Sequence, residues 1–231
     1  MPVLQKPSSG KPFLYPLPLG FLLLFLVGCA PKPTFRILDK PINFNEERKQ
    51  LSIDYLRERH GLDQTLPSIN PKMIVLHWTV IPTIESTFDV FDPVHLPGAR
   101  AGIASASSLN VSSQFLIDRD GEIFRLLPDT AFARHVIGLN YCSIGIENIG
   151  SEKSLLTKAQ LKSNENLIRY LTKKYPEITY LIGHYEYQKF EKSELWKETD
   201  SNYRTVKTDP GTQFMRKIRR RLHDLPLMAN P

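Results

Sequence analysis

Short apolar runs that alternate with longer helical patterns limit most strongly how this 231-residue chain can fold. Apolar runs of about four to eight residues between turn signals are typical of buried strands. Runs of this kind cover residues 72–79, 111–117, 122–127, 143–149 and 178–182. Helical spacing of apolar residues marks residues 46–60, 157–174 and 210–223. Strands mixed with long helices predict an α/β domain in which a central mixed β-sheet is flanked by helices.

Signals at the ends of these segments make the prediction more specific. Gly61 is a stop signal for the first helix, and Thr157 begins a capping box at the second. The Asp-Gly pair at 120–121 predicts a β-hairpin between two of the strands. Pro210 is expected in the first turn of the last helix. Residues 80–108 show no clear periodicity, so we expect a long irregular loop there.

The first 28 residues have the pattern of a signal peptide. Lys6 and Lys11 precede an apolar stretch at 13–27, which is shorter than the roughly 20 residues of a membrane-spanning helix and contains prolines. An uncleaved anchor is the alternative. The residues Leu-Val-Gly-Cys at 26–29 resemble the bacterial lipobox, in which the cysteine is acylated and becomes the new N-terminus. A lipid on Cys29 would tether the protein to a membrane surface.

Export has consequences for the cysteines and the charge. If Cys29 carries lipid, Cys142 has no partner, so no disulfide is expected and Cys142 is interpreted as a small buried hydrophobe.

Removing the leader takes away two lysines and no acidic residue, so the formal charge falls from +6 to +4. A basic cluster at 216–221 can indicate nucleic-acid binding. Because an exported protein meets little nucleic acid, we expect a solvated helix face or contact with anionic envelope material instead.

Two histidines stand at the ends of apolar runs. His77 closes "MIVLH" and His184 closes "YLIGH", and the end of a strand is where a sheet exposes side chains to a cleft. A single histidine is nevertheless more often structural than a metal ligand. The two are 107 positions apart, so their spacing does not show that they converge.

Several motifs occur along the chain in a fixed order: "IVLHWT", "FLIDRDGEIFRLLPD", "RHVIGLNYCSIGIENIG", "YLIGHYEY" and "KTDPG". Together they resemble the zinc-dependent N-acetylmuramoyl-L-alanine amidases of the type 2 family, whose fold is shared with phage lysozyme-type amidases and animal peptidoglycan recognition proteins. The resemblance covers about residues 70–222. It implies that His77, His184 and Asp209 bind Zn²⁺, and this ligand set leaves a net positive charge that acidifies bound water. From its position alone, Asp209 could also cap the helix that follows.

The resemblance also implies the catalytic groups. Glu147 would be the general base and acid, and an isolated carboxylate in an apolar strand is costly to bury without a function or partner. Lys207 would stabilise the oxyanion, and its alternative is an ordinary surface lysine. His135 is expected in the cleft, in contact with substrate or transition state.

Other expectations concern substrate binding and departures from the family pattern. Arg134 stands where Trp is frequent, Asn140 is expected to shape the loop that follows it, and Asn110 to line the sugar side of the groove. Ser113 replaces the tyrosine that assists catalysis in phage lysozyme-type members, and Gln114 replaces a frequent histidine. Neither replacement removes a predicted zinc ligand, so more of the catalysis would rest on Glu147 and Lys207.

The implied function is hydrolysis of the amide between the lactyl group of N-acetylmuramic acid and L-alanine of the stem peptide, in peptidoglycan or its fragments. The alternatives are a non-catalytic peptidoglycan-binding module and a zinc peptidase acting on the stem peptide. The expected organisation is a signal peptide at 1–28, a lipidated cysteine and tether at 29–45, a zinc amidase domain at 46–223 and a tail at 224–231. We expect a monomer.

The leader and single domain also resemble outer-membrane lipoprotein amidases of the AmiD type. Ala30 lacks the aspartate that commonly signals retention in the inner membrane. We therefore expect an exported lipoprotein of the cell envelope, on the periplasmic face of the outer membrane.

Overall fold

The computed structural model describes residues 35–97 and 106–231, together with Met1 and Val3. The chain divides into two compact units, Met1–Pro33 and Thr34–Pro231, and the fold below is that of the second. Most of the predicted signal peptide, and Cys29, lie outside the described residues. No helix among the described residues is long and apolar enough to cross a membrane.

A six-stranded sheet forms the centre of the domain, with the strand order β1-β4-β3-β5-β2-β6. The strands are β1 (Ile37–Asp39), β2 (Met73–Leu76), β3 (Phe115–Ile117), β4 (Ile123–Arg125), β5 (Ser143–Asn148) and β6 (Tyr180–Gly183). Only β3 and β4 pair antiparallel, through the predicted hairpin, and the other neighbours are parallel. The predicted mixed sheet is therefore confirmed.

Four α-helices accompany the sheet in the described residues. They are α1 (Glu46–His60), α2 (Ile84–Phe91), α3 (Lys158–Lys174) and α4 (Thr212–Arg221). α1 ends at Gly61, whose φ of 62° favours glycine, and α3 begins with the predicted capping box at Thr157. Apolar residues of α3 and α4 pack with Ile74, Leu76 and Ile146 in one core cluster. These helices therefore cover one face of the sheet and leave the site to the opposite face.

The prediction of an irregular loop at 80–108 was wrong for part of that range, because α2 lies within it. Thr83 caps the helix by accepting a hydrogen bond from the Ser86 amide, and Ile84 and Phe91 are buried. At the other end, Arg48 donates to the carbonyl of Phe91 over 2.8 Å. Eight residues form only about two helical turns, which is too short for a clear periodicity of apolar residues in the sequence.

Two other boundaries differ from the prediction. Ile37–Asp39, expected in the tether, pairs with β4 as an edge strand, and the Ile42 amide extends this pairing by donating to the Leu126 carbonyl. Pro210 does not open α4, which begins at Thr212 after Gly211. Gly211 has a φ of 86°, and a Cβ there would lie 3.2 Å from the Trp78 ring.

Cys142 is 1% exposed and belongs to a core cluster, as the sequence predicts. Burial raises the pKa of its thiol to about 12. At neutral pH the group is therefore a protonated thiol, which suits packing rather than nucleophilic attack.

Buried His60 makes the stability of this domain depend on pH. It packs among Tyr55, Phe132 and Tyr141, and burial lowers its pKa to about 4, against about 6.5 in an unfolded chain. The unfolded state therefore binds more protons between these values, so this contribution is intact above about pH 6.5 and is lost as the pH falls towards 4. We expect His60→Gln to remove about 3 kcal/mol of this pH-dependent loss, measured by urea unfolding. His223→Gln, at an exposed site, should keep the wild-type dependence.

Candidate metal centre and cleft

The side chains of His77, His184 and Asp209 converge on one point. The Nδ1 atoms of His77 and His184 are 3.0 Å apart, and Oδ2 of Asp209 lies 3.1 Å from the first and 3.0 Å from the second. All three residues are buried. Among the described residues, this is the group of three histidine, cysteine or acidic side chains whose atoms are close enough to hold one metal ion.

The sheet explains why two distant histidines meet. His77 directly follows β2 and His184 directly follows β6, and these strands are parallel neighbours with Leu76 opposite Gly183. Parallel neighbours end at the same edge of a sheet, so the next residue of each strand stands beside the other. Asp209 reaches this edge from the segment before α4, where its carbonyl accepts a hydrogen bond from the Tyr185 amide over 3.1 Å.

The surroundings of His184 and Asp209 favour the protonation states that bind metals. Burial, reinforced by His77, lowers the pKa of His184 to about 4, so its imidazole is neutral at pH 7. Burial acts to raise the pKa of Asp209, but His184 and His77 outweigh it and hold that pKa well below its usual range. A neutral imidazole and a carboxylate are the forms that coordinate a metal ion.

The donor set fits a tetrahedral transition-metal ion. Bonds of about 2.0–2.2 Å place ligand atoms about 3.3–3.6 Å apart in a tetrahedron, so the observed separations of 3.0 to 3.1 Å would need to widen by only a few tenths of an ångström. Two imidazoles and one carboxylate match the three protein ligands of catalytic sites, which leave the fourth position to water or substrate.

His135 contacts His77 at the ring nitrogen that does not face His184 and Asp209. Its Nδ1 is 3.0 Å from Nε2 of His77, and its Nε2 is 3.3 Å from the carbonyl of Ser143. Burial lowers the pKa of His135 well below its usual value. Gly145 of β5 leaves room for the ring, because a Cβ there would lie 2.8 Å from it. His135 therefore orients His77, which sequence reasoning did not predict.

Glu147 and Lys207 line a cavity of about 340 Å³ together with all three residues of the cluster. This cavity is termed the cleft. The His77 amide donates to the Ile146 carbonyl over 2.9 Å, which continues the β2–β5 pairing and places His77 opposite Glu147. Paired residues of parallel strands point to the same face. The expected base and the cluster thus share one surface of the sheet.

Arg134 and Asn140, which were also expected to bind substrate, both form hydrogen bonds with backbone groups. Arg134 lines the cleft but is 3% exposed, and its guanidinium donates to the carbonyls of Ser107 and Leu109. Asn140 accepts hydrogen bonds from the amides of His135 and Val136 through Oδ1, so it shapes the loop before it rather than, as expected, the loop that follows.

Asn110 does not line the groove, contrary to the expectation from sequence. It has no exposed surface, and its Nδ2 donates to the carbonyls of Val90 and Pro93 at the end of α2. Ser113 and Gln114 are fully buried as well. Gln114 accepts from the Gly145 amide and donates to the Ala131 carbonyl, which joins the sheet to a loop.

Sequence reasoning did not predict the role of Trp78. Its side chain lines both the cleft and a neighbouring cavity of about 530 Å³, termed the outer cavity, which also contains Tyr185 and Lys217. The sequence feature that could have indicated this position is that Trp78 directly follows His77. Lys207 also borders both cavities. Trp78 and Lys207 therefore form part of the wall of both cavities.

Comparison with known proteins agrees with this architecture. Residues 67–212 match the family model described as N-acetylmuramoyl-L-alanine amidase. Comparison with curated protein sequences gave no significant match. The chain is similar in fold to the N-acetylmuramoyl-L-alanine amidase LysC from Clostridium intestinale URNW, with a TM-score of 0.52, 22% identity and coverage of 82% of this chain and 99% of that chain.

Two further solved structures share the fold. A selenomethionine derivative of AmpD aligns with a TM-score of 0.52 and 24% identity, over 80% of this chain and 93% of that chain. PGRP-SA from bumblebee aligns with a TM-score of 0.50 and 17% identity, over 85% of this chain and 99% of that chain. With the family match spanning most of the domain, the chain belongs to the N-acetylmuramoyl-L-alanine amidase family of type 2 amidases.

Proposed function

We propose that this protein is a zinc-dependent N-acetylmuramoyl-L-alanine amidase, which hydrolyses the amide between the lactyl group of N-acetylmuramic acid and L-alanine of the stem peptide. The observation that carries the proposal is the buried cluster of His77, His184 and Asp209 within the segment that matches the family. Glu147 and Lys207 line the same cleft, so the required acid, base and cation are available around one point.

In this proposal the three residues of the cluster hold Zn²⁺. The ion supplies Lewis acidity, which polarises a carbonyl and makes water a stronger acid near neutral pH. The chain itself fixes the geometry, because Asp209 and both imidazoles are held in a buried site by the ends of β2 and β6 and by the segment before α4.

Protons and charge are handled by two other side chains. The Glu147 carboxylate accepts a proton from the attacking water and later donates it to the leaving amine of L-alanine. The Lys207 ammonium stands at the border of the cleft, where it stabilises the negative charge that develops on the carbonyl oxygen. Arg134 and Asn140 support the loop beside them rather than take part in the chemistry.

His135 provides a prediction about zinc affinity. Residues that hydrogen-bond a metal-binding histidine commonly contribute about 10–100-fold to metal affinity. We expect His135→Ala to weaken zinc binding by that factor, measured by competition with a chelator, while His135→Asn restores part of it. Unchanged zinc affinity in both variants would mean that His135 acts on substrate alone, as the sequence predicts.

Mass spectrometry of defined muropeptides tests the function. The chain from residue 30 onwards, with zinc, should release an intact stem peptide, and a chelator should abolish the reaction. Cuts within the peptide would indicate a zinc peptidase instead. Binding without any cut would indicate a recognition module.

We further propose that the chain is exported and tethered to the membrane through lipid on Cys29, on the periplasmic face of the outer membrane. The support is the leader with its lipobox-like residues at 26–29. Fractionation of cells that express the full chain tests this. The Cys29→Ser variant should lose the membrane association, and retention of that variant would contradict lipidation.

A further inference from the structure

Lys207 lies in a segment, residues 203–208, that has neither helix nor strand. Its side chain borders both the cleft and the outer cavity, and the neighbouring Val206 is 91% exposed. Among the described residues, Lys207 itself forms no hydrogen bond or ion pair that would hold its ammonium in place. The position of that ammonium therefore depends on how the backbone beside it is fixed.

Two backbone contacts fix this segment, one on each side of Lys207. The Tyr187 hydroxyl donates to the Thr205 carbonyl over 2.7 Å and accepts from the Thr205 amide over 2.8 Å. A hydroxyl has one hydrogen to donate and lone pairs to accept, so this one side chain satisfies both backbone groups of Thr205. On the other side, the Tyr185 amide donates to the Asp209 carbonyl over 3.1 Å. The backbone that carries Lys207 thus spans two fixed points.

Tyr187 is itself held firmly next to the proposed metal centre. It is 1% exposed, and its ring lies 5.7 Å from the ring of His184 and stacks at 6.1 Å on Trp196. It belongs to a 3-10 helix, His184–Phe190, which begins at a proposed zinc ligand. The buried ring therefore relates the position of the metal centre to that of the Thr205 backbone. Because Tyr187 is buried, it can act only through other residues of the chain.

We propose that Tyr187 is a positioning residue for Lys207. Its hydroxyl fixes the Thr205 backbone and thereby holds the Lys207 ammonium at the cleft, at a set distance from the metal centre. A cation stabilises an oxyanion only if it already stands where the charge develops, and a misplacement of about 1 Å can cost about 100-fold in rate. This inference rests on the proposed function, because it assigns Lys207 to the oxyanion.

The test is a double-mutant cycle with Tyr187→Phe and Lys207→Met. Tyr187→Phe removes the hydroxyl and keeps the ring in the core. Thr205→Gly is a second variant, which loosens the same backbone without changing the core. Tyr141→Phe is the matched control, because its hydroxyl also donates to a backbone carbonyl of the connection before α4, that of Leu195 at 2.9 Å, but far from Lys207 in sequence.

We expect Tyr187→Phe to lower kcat by about 10-fold to 100-fold, with KM and zinc affinity unchanged. Lys207→Met should lose about 10²–10³-fold in kcat. In the Lys207→Met background, Tyr187→Phe should have no further effect on kcat, because no ammonium is left to position. Thr205→Gly should behave as Tyr187→Phe does, and Tyr141→Phe should keep the wild-type kcat.

Three kinetic results would overturn the inference. They are a wild-type kcat in Tyr187→Phe, a further loss of kcat when this change is added to Lys207→Met, and a weaker affinity for zinc. The last result would mean that Tyr187 acts through His184 instead. Cuts within the stem peptide, with the same dependence on both residues, would overturn the amidase but support the inference, since Lys207 can stabilise the oxyanion of any amide.

Acetylation of lysines, located by mass spectrometry, gives a readout that needs no turnover. Tyr187→Phe should speed the acetylation of Lys207 relative to that of Lys173, which is exposed on α3, and Tyr141→Phe should not. This result would support the inference even if the wild type cleaves no muropeptide, an outcome that would overturn the proposed function alone. An unchanged acetylation rate of Lys207 in both Tyr187→Phe and Thr205→Gly would overturn the inference.

Discussion

Glu147→Gln should bind zinc as the wild type does and lose about 10²–10⁴-fold in kcat. The amide has nearly the shape of the carboxylate but accepts no proton, so the variant removes proton transfer and leaves the cleft intact. Glu147 lies on β5 at some distance in sequence from the three proposed ligands, and β5 pairs with β2 regardless of this side chain. The fold and the arrangement of the three proposed metal-binding side chains should therefore persist.

The measurement pairs zinc content with single-turnover kinetics on a muropeptide. Glu122→Gln is the matched control, because this glutamate is exposed next to the hairpin and outside the cleft. Normal turnover in Glu147→Gln would exclude Glu147 as the base. Loss of zinc together with turnover would instead assign Glu147 to the metal centre.

His184→Ala should lose both zinc and turnover. The substitution removes one of three converging donor atoms and leaves His77 and Asp209, which cannot enclose an ion in a tetrahedron. Loss of a group that merely orients a ligand costs about 10–100-fold in affinity, so we expect a larger loss for the ligand itself. Activity should fall at least as far as in Glu147→Gln.

Zinc content after dialysis, and affinity from chelator competition, measure this effect. His95→Ala is the control, because His95 is an exposed histidine that pairs with Glu47 at 2.9 Å on another part of the surface. Wild-type zinc affinity in His184→Ala would contradict the proposed centre. The two variants together separate metal binding from proton transfer, since only His184→Ala should change the metal content.

Local periodicity predicts most of the elements of this fold from sequence. The apolar runs became strands, and the stop at Gly61 and the cap at Thr157 lie where helices α1 and α3 end and begin. These features depend on residues within a few positions of one another, which is why the sequence reveals them. α2 was missed because eight residues show too few turns for a clear periodicity, and because one of its contacts comes from Arg48, 43 positions away from the carbonyl to which it donates.

The residues of the candidate site also divide into those that the sequence identifies and those whose position only the tertiary structure shows. By itself the sequence placed His77 and His184 at the ends of strands and proposed Asp209 and Glu147 through motifs. Only the tertiary structure decided that the three proposed ligands meet, because the order β5-β2-β6 brings together strands that are far apart in the chain. It also placed Asn110 in the interior, away from the groove. Such outcomes depend on which surfaces pack together, and packing is a property of distant residues rather than of local pattern.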